Sequence, residues 1–447
     1  MIAQALRTVL PDRTAFGILV RVLDKAVRYG SLELIDPWGE RHLFGTAEAP
    51  FVTVRITDPD EPARLLGAPS LRVGEAYMEG TLLIEQGTLR DFLLIGVAAA
   101  RQIDHHAGIL VGFVAPLRKL KRKISLAQAR ANAAHHYDVA EELYRMFLDD
   151  DMQYSCGYFQ TGNETLEEAQ TQKKHHLAAK LQLKPKARVL DIGSGWGGLA
   201  LELALRHDVQ VDGLTLSGEQ LGVARARADR AGLQESVRFH MRDYRDEAGT
   251  YDHIVSVGMF EHVGVPHYEE FFDVVRRSLA PDGVAVIHAI GSKDPPGESD
   301  PWIDKYIFPG GYCPALSEVL AAVEKAGLWV TDVEILRLHY AETLRHWSER
   351  FQARRTCAAE LYDERFCRMW EYYLATCEAA FRVGSMMVFQ IQLARNVAAM
   401  PLVRNYMADA PHCSEIRPLG GADTIKPASA ERFDTAAMAP LEVRHAL

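Results

Sequence analysis

The sequence predicts a Rossmann-like α/β fold, a doubly wound and mostly parallel sheet with a helical cap, preceded by a small α+β domain. Three observations carry this. Residues 188–197 read Arg-Val-Leu-Asp-Ile-Gly-Ser-Gly-Trp-Gly, an apolar strand that ends in Asp191 and turns through glycines at 193, 195 and 197 into an apolar helix. Further apolar runs between 209 and 290 alternate with helical ones, the pattern of a parallel sheet with right-handed crossovers. A length of 447 residues also exceeds the size at which one core stops growing, so a second domain is expected.

Composition narrows the class. A hydrophobic fraction of 48% and a charged fraction of 25% are those of an ordinary soluble protein. The formal charge of -10 argues against a general nucleic-acid binder. Six cysteines (156, 313, 357, 367, 377 and 413) lack C-x-x-C spacing, and no charged-then-apolar leader opens the chain, so a reducing cytoplasm is expected.

In chain order, Thr14 to Leu34 reads as a helix with Phe16, Leu19, Val20, Leu23 and Val27 on one face, then a strand; Phe51 to Ile56 alternates as another strand. Residues 74–80 and 89–93 read as helical packing segments. The apolar run 107–117 is far short of the ~20 residues a membrane span needs, and Arg118, Lys119, Lys121, Arg122 and Lys123 follow at once. Such a run is either an interdomain linker or a contact with anionic lipid headgroups. The expected domains are 1–125, an accessory domain and basic linker; 126–400, a catalytic domain; and 401–447, a tail rich in Ala, Pro and Asp that is expected to be flexible.

A helix from Leu166 to Leu181 is expected to carry Lys173, Lys174, His175 and His176 on its surface. The histidine pairs 135/136 and 175/176 do not face one way on a helix and no third ligand lies at metal spacing, so no metal is assigned. Strands are expected at 209–214, 237–240, 252–257 and 284–290, with a turn at 281–283. The stretch 292–314, broken by prolines and glycines, reads as a substrate lid or channel wall. Beyond it, 315–340 gives a helix and an amphipathic strand (Trp329, Val333, Ile335, Leu338), and 343–399 gives long helices.

The glycines at 193, 195 and 197 let the backbone turn sharply and approach a ligand. The order strand-Asp-x-Gly-x-Gly-x-Gly is similar to that of S-adenosylmethionine methyltransferases, whereas dinucleotide dehydrogenases have the form G-x-G-x-x-G. Together with Ala-His-His-Tyr-Asp from residue 134, Met-Gln-Tyr-Ser-Cys from 152, Gly-Leu-Thr-Leu-Ser from 213, Ser-Val-Gly-Met-Phe-Glu-His-Val-Gly from 256, His-Ala-Ile-Gly-Ser from 288 and Lys-Tyr-Ile-Phe-Pro-Gly-Gly from 305, this loop resembles the cyclopropane-fatty-acid-phospholipid and mycolic acid cyclopropane synthases. The resemblance runs from about 130 to 397. The N-terminal segment 75–80 is similar to the extra domain of the phospholipid enzymes. Ser194 departs from the family's usual Cys.

The resemblance implies an enzyme that uses S-adenosylmethionine to convert a cis alkene of a phospholipid acyl chain into a cyclopropane, with bound bicarbonate as base. It implies bicarbonate holders at Cys156, Glu261, His288, Ile290 through its backbone, and Tyr340. For the cofactor it implies Tyr154, Ser155, the loop Asp191, Gly193, Ser194, Gly195 and Gly197, then Thr215, Leu216, Gln220, Asp243 and Tyr244. A carbocation needs aromatic faces, for which Tyr158, Phe159, Phe260, Trp302, Tyr306 and Phe308 are candidates. Expected partners are a phospholipid surface with unsaturated acyl chains and no nucleic acid, with a homodimer left open; the expected place is the cytoplasm, peripherally on the inner face of the membrane. A lipid or small-molecule methyltransferase without ring closure, leaving a branched lipid or a methylated small amine, and a non-catalytic S-adenosylmethionine or lipid-binding protein are the alternatives.

Overall fold

A sheet of four short strands opens the chain. The computed structural model describes residues 12–111 and 141–407, with backbone alone for 12 and 104–111. Helix α1 (Asp12–Ala26) turns Phe16 inward, with Leu19, Val20 and Leu23 half-buried beside it, and is followed by β1 (Ser31–Ile35), β2 (Arg41–Gly45) and β3 (Phe51–Ile56). Helices α2 (Glu61–Gly67) and α3 (Pro69–Glu79), strand β4 (Leu82–Gln86) and helix α4 (Leu89–Val111) complete it. The strand order is β2-β1-β3-β4, with β1 and β3 parallel. Strand β3 does not alternate as expected, because Val52, Thr53 and Val54 are all buried in a central strand, where the Thr53 hydroxyl donates to Glu33 at 2.9 Å.

Segments 74–80 and 89–93, expected only to pack, also carry polar links to the later chain. Glu75 accepts from Lys305 and Tyr306, Tyr77 donates to Glu371 at 2.9 Å, and Arg90 donates to Glu378 at 2.8 Å. The described residues form one compact unit. The basic run 118–123, the motif from 134 and the tail beyond 407 lie outside the described residues.

After α5 (Glu141–Phe147) and α6 (Leu166–Leu181), the alternating units run β5 (Arg188–Ile192), α7 (Gly198–His207), β6 (Gln210–Thr215), α8 (Gly218–Ala231), β7 (Val237–Met241), β8 (Tyr251–Val257), α9 (Tyr268–Ser278) and β9 (Leu279–Ser292). Then follow α10 (Pro301–Tyr306), α11 (Leu316–Ala326), β10 (Trp329–Ile335), α12 (His339–Ala353), α13 (Arg355–Leu361), α14 (Glu364–Arg382) and β11 (Met386–Ala394). The sheet order is β10-β11-β9-β8-β5-β6-β7. Strands β5 to β9 are parallel, and β11 is antiparallel to both β9 and β10. From β5 the chain builds outward through β6 and β7, then crosses to β8 on the other side. That reversal opens a crevice at the C-terminal ends of β5 and β8, where α/β sheets bind ligands.

Three expectations about elements are corrected. Strand β9 begins at Leu279, which pairs with Tyr251, and passes through Pro281–Gly283 before the register shifts to His253↔Val284. The stretch 343–399 is not all helix: Val388, Gln390 and Gln392 alternate with Phe389, Ile391 and Leu393, a period of two that places β11 between β9 and β10. In the strand expected to be amphipathic, Trp329 is exposed, as is Leu338 beyond it, because β10 is the edge of the sheet. The stretch 292–314 is irregular as expected, but Asp300 caps α10 by accepting from the Trp302 and Ile303 amides, and Trp302 is fully buried.

Candidate active site

A pocket occupies the crevice. It is lined by the glycine loop, the end of β6, residues 242–245, residues 257–259, His262 and Val263, the segment 152–155, and Lys173 of α6. The loop is pinned where it leaves β5, because the Gly193 and Ser194 amides both donate to the Leu214 carbonyl, at 3.0 and 2.9 Å. Gly193 and Gly197 have φ of 88° and 84°, the left-handed region open to glycine. At Gly195 a Cβ would meet nothing within 4 Å, so its missing side chain opens onto the space of the pocket. Gly197 does not line it; a Cβ there would stand 2.7 Å from Phe239, so this glycine serves close packing.

Tyr154, Ser155, Asp191, Gly193, Ser194, Gly195, Thr215, Leu216, Gln220, Asp243 and Tyr244 all line the pocket. Tyr154 is held by a 2.7 Å hydroxyl contact with Tyr373 and stacks on Trp347 at 5.2 Å. Thr215 donates to Gln220 at 3.1 Å, joining the end of β6 to α8. Asp243 is clamped by the backbone and guanidinium of Arg245. Asp191 is different: its Oδ2 is buried with no hydrogen-bond partner. Burial pushes its carboxyl up to about 7, and Lys173 pulls it back.

A second cluster lies beyond the pocket. Glu261 follows β8 and accepts at Oε1 from the Ile290 amide at 2.6 Å, while Oε2 is buried and unpartnered. Burial pushes Glu261 up to about 7. In this arrangement the Ile290 N–H is spent on Glu261, so Ile290 acts by positioning that carboxylate. Burial raises the Tyr340 phenol well above its ordinary range, and Cys156 and Glu261 are among the groups close enough to add to the shift. The Cys156 thiol donates to the Gly157 carbonyl at 3.3 Å, and burial holds it neutral. His288 is not seen to join them: burial lowers it to about 3 and keeps it neutral, the charges that act on it are Lys173, Lys180, His176 and Glu334 on the α6 side, and its Nδ1 lies 3.0 Å from Gln390 Nε2. A neutral buried thiol is no nucleophile.

The helix α6 overturns one expectation outright. Lys173, Lys174, His175 and His176 are buried, each with a partner: Lys173 with Gln153 and Ser155, Lys174 with Asp151, His175 with Glu202, His176 with Glu334. Spacing could have found Lys173, which falls on the same stripe as Leu166, Ala169 and Leu177. Among the aromatic candidates, Phe260 packs at 4.5 Å on Tyr268 in the core beside α9, and Trp302 packs on Tyr372 at 4.6 Å. Tyr306 is tied to Glu75. Tyr158 and Phe159 join a stack with His176, His339 and His346. Phe308 stays near the pocket, 6.2 Å from His262 and 5.9 Å from Tyr373. Gln153, His262 and Met259, not singled out by sequence, also line the pocket.

The residues fit S-adenosylmethionine: a glycine cradle that a Cβ would fill, and an orphaned carboxylate for a cationic amino group. Fold and pocket together define an S-adenosylmethionine-dependent methyltransferase. A family model described as mycolic acid cyclopropane synthetase matches residues 124–391. The chain is 39% identical over 348 residues to the cyclopropane-fatty-acyl-phospholipid synthase of Escherichia coli, covering 77% of this chain and 88% of that one. It is 34% identical over 397 residues to a tuberculostearic acid methyltransferase of Mycobacterium tuberculosis, covering 85% and 91%. Among solved structures it is similar to the mycolic acid cyclopropane synthase CmaA1 complexed with SAH and CTAB, with a TM-score of 0.56 and 34% identity over 59% of this chain and 97% of that one. The chain belongs to the mycolic acid cyclopropane synthetase family.

Proposed function

We propose that this protein converts the cis double bond of an unsaturated phospholipid acyl chain into a cyclopropane, with S-adenosylmethionine as the methylene donor and bicarbonate as the base. The observation that carries the reading is the buried, unpartnered Oε2 of Glu261 beside the Cys156 and Tyr340 neighbourhood, next to the cofactor pocket. S-adenosylmethionine supplies an electrophilic sulfonium methyl. An unactivated alkene is a weak nucleophile, so the pocket must align it with that methyl and keep water out. The apolar cluster of Tyr154, Phe147, Trp347, Tyr340, Phe308 and Tyr373 provides a dry wall for an acyl chain. The rings of Phe308 and Tyr373 offer π faces to the cation that follows methyl transfer.

Ring closure needs a proton removed from the transferred methyl, and bicarbonate supplies the acceptor. Glu261 Oε2 would hold it by accepting its hydroxyl hydrogen, while the Ile290 amide fixes the other carboxylate oxygen. Cys156 shapes the pocket and takes no covalent part. Enzyme work of this kind takes place at a phospholipid surface, peripherally and on the cytoplasmic side; no described helix is long and apolar enough to cross a membrane.

A methyl-branched product is the second reading, favoured by the likeness to the tuberculostearic acid methyltransferase. Both products add the mass of one methylene. The test is incubation with mixed unsaturated phospholipids and labelled cofactor, then nuclear magnetic resonance of the lipid. A shielded ring methylene is the expected signal, and a methyl doublet on a saturated chain would select the second reading.

A further inference from the structure

The loop that follows Cys156 is fastened to the first turns of α12, the helix that carries Tyr340. Two loop amides donate across: Gly157 to Thr343 Oγ1 at 3.0 Å, and Phe159 to His339 Nδ1 at 2.9 Å. Between them the Tyr158 amide donates to the Ala169 carbonyl of α6 at 2.9 Å. The rings interleave in the same way. Tyr158 lies between His176 of α6 at 4.2 Å and His339 at 4.9 Å, nearly parallel to both, and Phe159 stacks on His346 at 5.7 Å. His339 therefore precedes Tyr340 in sequence and bonds the third residue after Cys156, so it spans two members of the Glu261 cluster.

The two attachments differ in kind. The Thr343 hydroxyl donates its own hydrogen to the His339 carbonyl at 2.8 Å and accepts from Gly157 with a lone pair that does not titrate. An imidazole nitrogen accepts an N–H only while it carries no proton, so the Phe159 bond requires a neutral His339 with its hydrogen on Nε2. A second proton would set a donor against a donor. His339 is half-buried, so protons from solvent reach it. Burial holds it below the usual histidine range; Arg337, between β10 and α12, and His176 of α6 add to this, while Glu334 of β10 and Glu164 ahead of α6 oppose it. Glu334 is already shared by His176 and Lys180, which leaves the Phe159 amide as the group that Nδ1 meets.

We propose that His339 is a positioning residue for ring closure: its unprotonated Nδ1 latches the loop that carries Cys156 to the helix that carries Tyr340, and protonation of that nitrogen releases the Phe159 end of the loop. Acid then slows the enzyme through a residue that touches neither cofactor nor alkene. The effect on turnover rests on the cyclopropane-forming reading of the Glu261 cluster, whereas the latch itself does not.

Two substitutions separate the acceptor from the ring. His339→Asn sets a carbonyl oxygen near the place of Nδ1, an acceptor that takes up no proton, and His339→Phe keeps an aromatic face against Tyr158 without an acceptor. The first readout is hydrogen exchange of the full-length protein by mass spectrometry, following peptides that contain Phe159 and correcting for the intrinsic rate at each pH. Wild type should lose protection about ten-fold between about pH 7.5 and 5, the value of one hydrogen bond. His339→Asn should stay protected throughout, and His339→Phe should be unprotected throughout. The second readout is kcat on an unsaturated phospholipid over the same range at a fixed bicarbonate concentration. Glu261 titrates there in all three proteins, so the ratio of each variant to wild type isolates His339. At the upper end His339→Phe should be about ten- to hundred-fold slower than wild type, the scale of a small misplacement, and His339→Asn should match it. At the lower end His339→Phe should draw level with wild type and His339→Asn should exceed it. Equal protection of wild type at both ends overturns the latch without any variant. So does a His339→Asn protein that falls in parallel with wild type, or a His339→Phe protein with wild-type protection and rate. Wild type that shows the expected exchange but forms no cyclopropane at any pH would instead bring down the proposed reaction and leave the latch standing.

Discussion

Glu261 is held by two opposing demands, a backbone donor that favours its charged form and a buried site that disfavours it more. Burial wins and lifts it from 4.5 to about 7. A carboxyl raised in the folded state binds more protons folded than unfolded, so the stability it gives is full below about 4.5 and is lost as pH rises through about 7. His288, lowered to about 3, works in the opposite sense, because the unfolded chain takes up its proton first on acidification. The two trends are separated by comparison: Glu261→Gln should gain stability relative to wild type as pH climbs from about 4.5 to 7, by on the order of 3 kcal/mol. Chemical denaturation of both ligand-free proteins across that window checks it, and parallel curves would refute it. In turnover, Glu261→Gln should lose ~10²–10⁴ in rate with cofactor affinity nearly intact, and Cys156→Ser should lose less. Wild type in carbon-dioxide-stripped buffer should slow and recover on adding bicarbonate; undiminished turnover would remove bicarbonate from the account. Gly195→Val should abolish cofactor binding measured by calorimetry, because the branch would fill the open space at φ 54°. The left-handed backbone adds a strain of about 1–2 kcal/mol, so its melting temperature should drop modestly.

At the scale of elements, the parallel strands were legible because each is a short apolar run bounded by polar turns, and a strand buried on both faces must read that way. The glutamine-bearing β11 was hidden among helices, since Gln390 and Gln392 interrupt the apolar run and only their pairing with His288 and the Lys180 carbonyl makes burial tolerable. Helix α6 failed in the opposite direction. Its Lys-Lys-His-His run looks like a solvated face, but every charge finds a partner that lies at least 20 residues away in the chain. Asp151 is the centre of that arrangement: it accepts from Lys174 of α6 and Arg227 of α8, and Arg227 also donates to the Trp196 carbonyl in the glycine loop at 2.9 Å. Burial alone would raise the Asp151 carboxyl, but Lys174 and Arg227 outweigh it and hold it below its ordinary value. Its stabilisation is therefore present at neutral pH and lost on acidification through that lowered value. Asp151→Asn should cost roughly 3 kcal/mol, since it removes the carboxylate partner of Arg227 and leaves Lys174 only Glu202 at 3.8 Å. Urea unfolding at pH 7 should show the loss, and the difference from wild type should shrink at low pH. An equal difference at both pH values would mean that the ion pairs contribute nothing.

For the whole molecule, the accessory segment was legible as α+β from its own pattern, but its attachment was not, because Glu75, Tyr77 and Arg90 meet partners roughly 230 to 294 residues away that no local pattern relates. Glu75 and Tyr77 grip α10 and α14, which contribute to the apolar cluster, so the N-terminal part is joined to that cluster. The chain as a whole is acidic, at -10, and an acidic body is repelled by an anionic bilayer. Against that background Arg118, Lys119, Lys121, Arg122 and Lys123 stand together directly after an apolar run that is too short to span. Each cation that reached a headgroup layer would contribute ~1 kcal/mol, enough in sum to offset the repulsion. Replacing all five with glutamine should therefore weaken flotation with vesicles containing anionic lipid far more than with zwitterionic ones. Raising salt should mimic the replacement in wild type, because exposed charges are screened over ~10 Å at 0.1 M, and should add little in the variant. Turnover on a detergent-dispersed lipid should be unaffected, since that substrate presents no charged surface to the run. Equal flotation of the two proteins on anionic vesicles would reduce the run to a linker.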